Sequence, residues 1–194
     1  GQAGDTLYIV ASLARASTVG ASLARTLGVT NQTMRAPPPA IDSAHVLYFA
    51  SAERDVQWTG KQVLYVDDKL LGPVPRLAIC RNLYGQLTDH LLFHCDRRWT
   101  VLGVGGAKTL AECREQAERA YSGISNYWQK PRFTRGEARR WSKERWKPWA
   151  CSFCGRLPPQ VDRMFSARSA RACDICVKDM ARALAMAEAG AGDA

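Results

Sequence analysis

Four cysteines near the end of the chain have the type and spacing of a metal site. They form two pairs, Cys151 with Cys154 and Cys173 with Cys176, in the pattern C-x2-C-x18-C-x2-C. Four thiolates at this spacing can surround Zn²⁺ as a tetrahedron that leaves no position for water, so the predicted site is structural rather than catalytic. Gly155 suits the tight turn after the first pair. Iron bound by the same four thiolates, or a pair of redox disulfides, are the competing interpretations.

The segment that contains these cysteines, CSFCGRLPPQVDRMFSARSARACDICVKDM, resembles the N-terminal C4 zinc-binding domain of ClpX, the unfoldase of the Clp protease. The shared features are a C-S-F-C-G-R knuckle, Val161 followed by the basic and apolar stretch 163–165, and a second C-D-x-C-V knuckle. The resemblance covers about residues 150–188, and within it the stretch SARSARA differs from the family's pattern. The module lies at the C-terminal end of this chain, whereas in ClpX it is N-terminal. It implies a treble-clef or ribbon-like zinc module that dimerises and docks protein partners or unfolded substrates. The AAA+ engine has no counterpart here, so no ATPase activity is implied.

A partner surface is predicted within this module, which we assign to residues 150–190. Apolar residues recur along one face of a helix after the last ligand, and a second small apolar face precedes the third cysteine. The predicted surface consists of Val161, Met164, Phe165, Val177, Met180 and Leu184, with Ala181 and Ala187 on the same helix face. A module of this size has little interior in which to bury these side chains. They either pack on each other and on the preceding domain, or they bind a second copy of the chain or another protein.

A basic, tryptophan-rich connector is predicted over residues 130–149. It holds eight basic and two acidic residues, and so six of the nine net positive charges of the chain. Thr134 can cap a short helix from Arg135 to Trp146. The candidate polyanion contacts are Arg135, Arg139, Arg140, Lys143, Arg145 and Lys147, interleaved with Phe133, Trp141, Trp146 and Trp149. Such a mixture suits nucleic acid, but it also suits an acidic protein, or a solvated helix whose tryptophans attach the zinc module to the preceding domain.

An α+β domain, a small antiparallel sheet with a covering helix, is predicted over residues 41–129. The strand-like runs HVLYFA, KQVLYVDD, PRLAICRNLY and DHLLFHCDRRWTVLGV are separated by turn residues. Thr109 and Glu112 have the spacing of a capping box, and Gly123 ends the helix. Its inner face is predicted to consist of Leu110, Cys113, Ala117, Ala120 and Tyr121.

Residues 1–40 are predicted to be a leader that ends at the proline run APPPA. The copies ASLARA and ASLART favour a short Ala-rich helix or an unstructured leader, with a transit peptide or a basic arm as alternatives. The start GQAG, without an initiator methionine, indicates a fragment, a processed form or a tagged form.

Two motifs in the sheet domain resemble catalytic or nucleotide-binding signatures without meeting their requirements. GVGGAKT at residues 103–109 lacks phosphate-loop spacing because Ala107 stands where a glycine is needed before Lys108, and a Gly-rich strand-to-helix turn explains it. His94 and Cys95 are neighbours on a strand and point to opposite faces, so the imidazole is poorly placed to activate the thiol. We predict no catalytic residue, no bound nucleotide and no enzymatic activity.

The composition is typical of a folded globular protein, with 46% hydrophobic and 23% charged residues. No apolar run is long enough to span a membrane, and no signal peptide is recognised. Paired thiolate ligands among seven cysteines indicate a reducing compartment, so we expect the cytoplasm. The predicted function is a non-enzymatic zinc protein whose ClpX-like module mediates homodimerisation or protein docking. The alternative is a nucleic-acid-binding zinc-ribbon protein that uses the basic connector.

Overall fold

A computed structural model describes residues 35–53, 55–61, 64–66, 69–84 and 90–191. The leader prediction for residues 1–34 lies outside the described residues. The strands are β1 (Ala40–Ile41), β2 (Ala44–Ser51), β3 (Gln57–Trp58), β4 (Leu64–Val66), β5 (Lys69–Leu71), β6 (Arg76–Asn82), β7 (His90–Cys95), β8 (Val101–Ala107), β9 (Tyr121–Ser122), β10 (Met164–Ala167) and β11 (Ala170–Cys173). The α-helices are α1 (Leu110–Ala120), α2 (Arg135–Trp146) and α3 (Asp174–Ala191). This mixture confirms the predicted α+β class.

The central sheet has five antiparallel strands in the order β1-β2-β6-β7-β8. Strand β6 is buried along most of its length because both faces of the sheet are covered. Ile79 pairs with Leu92 on the face under α1, whereas Ala78 pairs with Phe93 on the opposite face. The predicted meander is therefore confirmed for β2, β6, β7 and β8.

Two details of the sheet differ from prediction. Within the described residues, the run KQVLYVDD supplies β4, which pairs with β5 in a separate two-stranded sheet rather than joining the meander. The glycines of GVGGAKT lie within β8 itself, so the strand-to-helix turn is confined to Lys108 and Thr109. Gly105 and Gly106 pair with Leu92 and Leu91 of β7, which makes them part of the sheet.

Helix α1 covers one face of the sheet and begins where its cap was predicted. Thr109 accepts a hydrogen bond from the Glu112 N–H, while the Glu112 carboxylate accepts from the Lys108 N–H rather than from Thr109. Cys113 and Ala117 are buried against the sheet, as the predicted inner face requires.

Helix α2 of the connector packs onto the edge of the same sheet, against β1 and β2. It begins after Thr134, whose hydroxyl accepts from the Glu137 N–H while the Glu137 carboxylate accepts from the Thr134 N–H. Ala138 is buried beside Ala40 and Leu83. A reciprocal cap and a small buried residue therefore hold a helix whose remaining surface is strongly polar.

The C-terminal module consists of a knuckle at residues 151–155, the β10-β11 hairpin and α3, as in a treble clef. Among the described residues, no helix is long and apolar enough to cross a bilayer.

Candidate metal centre

The fold brings the four predicted cysteines to one point from three different elements. Cys151 and Cys154 lie in the knuckle, Cys173 ends β11, and Cys176 lies in the first turn of α3. Gly155 has φ 71°, the left-handed conformation that turns the chain after the second sulfur. The role predicted for this glycine therefore matches its backbone.

The sulfur positions fit a tetrahedral metal ion. The Sγ atoms of Cys151 and Cys176 are 3.8 Å apart, those of Cys154 and Cys173 are 3.6 Å apart, and all four lie within 4.8 Å of one another. Zinc–sulfur bonds of about 2.3 Å in a tetrahedron require sulfurs about 3.8 Å apart. A disulfide would instead need about 2.05 Å. All seven cysteines are free thiols, so the redox-disulfide interpretation does not describe this structure.

Backbone amides around the cluster favour the thiolate form of the knuckle sulfurs. Burial raises the pKa of Cys151, but the N–H groups of Cys154, Cys173 and Phe153 outweigh it and lower that pKa to about 6. The Cys173 N–H lies 3.3 Å from the Cys151 sulfur. Amides directed at sulfur in this way are the usual outer shell of a thiolate–metal site.

Without a cation, the Cys176 thiol keeps its proton. Hydrogen bonding to the sulfur of Cys154, then burial and the sulfurs of Cys173 and Cys151, raise the pKa of Cys176 to about 12. Four thiolates within 4.8 Å repel each other, so a cation is needed to keep all of them deprotonated. The cluster can therefore hold a metal ion, and its four soft donors fit zinc.

Residues around the ligands fix the three elements relative to one another. The Ser152 N–H donates to the Arg171 carbonyl at 2.8 Å, and the Arg171 N–H donates to the Ser152 hydroxyl at 3.0 Å. Asp174 likewise accepts from the Arg163 N–H at 3.3 Å, while its own N–H donates to the Arg163 carbonyl at 3.1 Å. The four residues lie within the motif quoted above, but sequence reasoning missed their pairing, since the pairs join positions 11 to 19 residues apart.

The predicted partner surface is mostly open to solvent. Phe165, Val177, Met180 and Leu184 are exposed, whereas Val161 and Met164 are half-buried. The six predicted polyanion contacts on α2 and the turn after it are all exposed: Arg135, Arg139, Arg140, Lys143, Arg145 and Lys147. None of these side chains belongs to the cysteine cluster.

His94 and Cys95 lie on opposite faces of the sheet. The His94 ring lies 6.2 Å from Tyr121 on the α1 side, and burial lowers its pKa to about 4. Cys95 lies in the other core cluster, where burial and then the Asp96 charge raise its pKa to about 12. The two side chains therefore cannot act on each other.

Comparison of the chain with protein-family models, with curated proteins and with solved structures finds no match. The resemblance to the ClpX zinc domain therefore stays a prediction from the motif residues.

Proposed function

We propose that this chain is a non-enzymatic zinc protein whose C-terminal ClpX-like module mediates self-association and, through the same surface, docks protein partners. The proposal rests on one observation, which is the apolar face that α3 leaves exposed beside the cysteine cluster. Zinc would supply a structural crosslink with no open coordination position, so catalysis at the metal is not expected.

The module has almost no interior of its own. Within residues 150–189, the buried side chains are those of Cys151, Leu157, Cys173 and Asp174. Two of these are sulfur donors, so the metal takes the place of a hydrophobic core. The remaining apolar side chains of the module have little protein to pack against.

Exposed apolar residues are concentrated in this module. Of the eleven large hydrophobic side chains exposed among the described residues, six lie between positions 153 and 186: Phe153, Phe165, Val177, Met180, Leu184 and Met186. Val177, Met180 and Leu184 follow the spacing of one helix face, and α3 packs mainly against β11. A contiguous apolar face of this kind typically marks a protein–protein interface.

A second copy of the chain is the first partner to test. An 18-residue helix is about 27 Å long, so two α3 helices packed along this face could form a small interface. The expected species in light scattering is a dimer with twice the 21.4 kDa mass of the chain.

Leu184→Lys tests the surface with a matched control on the same helix. Leu184 is 61% exposed on the apolar face, and Met186 is 71% exposed on the opposite side of α3. Leu184→Lys should give a monomer that keeps its metal, whereas Met186→Lys should stay dimeric. A wild-type monomer at all concentrations would contradict self-association, and equal effects of the two variants would contradict the assigned face.

A further inference from the structure

A row of cations lies along the solvent side of α2. Arg139, Arg140 and Lys143, with Lys147 in the turn that follows, fall on one side of the helix, and all four are exposed. Ala138, on the side toward the sheet domain, is buried. We call these four cations the basic stripe. Within the described part of the chain, none of them has a carboxylate within ion-pairing distance.

The stability of α2 explains only part of the basic stripe. Lys143 lies in the last turn of α2, where the helix dipole favours a cation, and Arg140 attracts the Glu137 carboxylate. Arg139 with Lys143, and Lys143 with Lys147, nevertheless place like charges four residues apart. The capping box of Thr134 and the buried Ala138 secure α2 instead. Four exposed cations in one row, without an ion-pair partner among the described residues, suggest an external anion.

Two exposed indole rings flank the stripe: Trp141 lies about 100° around α2 from Arg140, and Trp149 lies in the turn that contains Lys147. Trp141 is 46% exposed on α2, and Trp149 is 53% exposed just before the knuckle. The Arg171 guanidinium lies 4.8 Å from the centre of the Trp149 ring and donates to the Pro148 carbonyl at 2.8 Å. Arg171 lies on β11, the strand that ends at the predicted ligand Cys173, so the zinc module positions the Trp149 ring.

We propose that the basic stripe, with Trp141 and Trp149, binds single-stranded nucleic acid without sequence preference. Cations neutralise phosphates, and indole rings stack on unpaired bases, which a duplex does not offer. A membrane is a poor partner for α2, because the helix already packs its apolar side against the sheet domain. This binding surface is separate from the apolar face of α3.

The first test is the salt dependence of binding by the full zinc-loaded chain. The probes are fluorescein-labelled 20-nucleotide DNA and RNA of mixed sequence, read by fluorescence anisotropy between 50 and 200 mM KCl. Four phosphate contacts predict a slope of log K against log salt of about −2.8, and so a loss of affinity of about 50-fold over this range.

Two kinds of variant separate charge from stacking. Arg140→Gln with Lys143→Gln should make the slope shallower by about 1.4. The control, Arg98→Gln with Arg119→Gln, removes equal charge from exposed sites in the sheet domain and should leave the slope unchanged. Trp141→Ala should weaken binding at least about 5-fold at every salt concentration, with the slope unchanged, because stacking displaces no counterion.

Other outcomes would overturn the proposal. They are the absence of salt-dependent binding, an equal loss of affinity in the control variant, or equal affinity for a duplex of the same sequence. Tighter binding to anionic phospholipid vesicles, or to a poly-glutamate peptide, would assign the stripe to a different partner. Gln and Ala are good helix formers, and an unchanged melting temperature and metal content will show that each variant is folded.

Discussion

Removing one buried ligand should unfold the metal module and leave the sheet domain intact. Cys173 is fully buried, and Cys173→Ala takes away one of the four sulfurs that surround the ion. Structural zinc contributes about 10 to 16 kcal/mol to the folding of small modules. Burial of Leu157, the one apolar residue besides the cysteines that is buried among the described side chains of the module, contributes only about 1.5 to 3 kcal/mol. The module therefore has nothing to replace the metal.

The expected loss of helical ellipticity follows from the helix lengths. Helix α3 has 18 residues, against 11 and 12 in α1 and α2. Helices in proteins are stabilised mainly by tertiary packing, and α3 loses its packing against β11 when the module unfolds, so Cys173→Ala should reduce the ellipticity at 222 nm by up to roughly two fifths. Metal content should fall from one ion per chain to none, and thermal unfolding of the sheet domain should persist.

Cys113→Ala is the matched control for this experiment. Cys113 is also fully buried, but it lies under α1 in the sheet domain. The control should keep one metal ion per chain and full ellipticity, with some loss of stability of the sheet domain. A Cys173→Ala protein that retained its metal and its α3 signal would refute the ligand assignment.

Three further perturbations test the local arguments. Gly155→Ala should destabilise the module by about 1 kcal/mol through its positive φ, whereas Gly136→Ala in α2 should be neutral or stabilising, both measured by thermal unfolding. Thr134→Ala should cost about 1 kcal/mol in urea unfolding, because α2 loses its cap. Burial lowers the pKa of His94 to about 4 in the folded state, below its unfolded value of 6.5. The contribution of this group to the free energy of unfolding is therefore complete above about pH 6.5, and up to about 3 kcal/mol of it is lost as the pH falls toward 4. His94→Phe should remove that part of the pH dependence of the free energy of unfolding. An unchanged pH dependence in this variant would contradict the lowered pKa of His94.

Helix starts were predictable because the groups that determine them are close in sequence. Thr109 and Thr134 each cap a helix through a residue three positions later, and both helices begin where the sequence indicates. The pairing of β4 with β5, and of β3 with β9, depends on partners that apolar runs do not specify. The burial of α2 on the sheet was also hidden, because small residues such as Ala138 and Ser142 give little hydrophobic signal.

The metal site was likewise predictable only where the groups that determine it are close in sequence. Cysteine type and spacing predicted which four sulfurs would meet, since each C-x-x-C pair and the turn at Gly155 act locally. The pairs of Ser152 with Arg171 and of Asp174 with Arg163 form only when the knuckle, the hairpin and α3 come together. Ordinary surface residue types carry no signal for such contacts.

The most direct test of the account is metal analysis and light scattering on the same chromatographic peak, before and after chelation. We predict one zinc ion per chain in a dimer, and a metal-free monomer after chelation, because the apolar face of α3 depends on the metal-held module. A chain without bound metal when purified with zinc present, or a dimer that survives complete removal of zinc, would contradict the account.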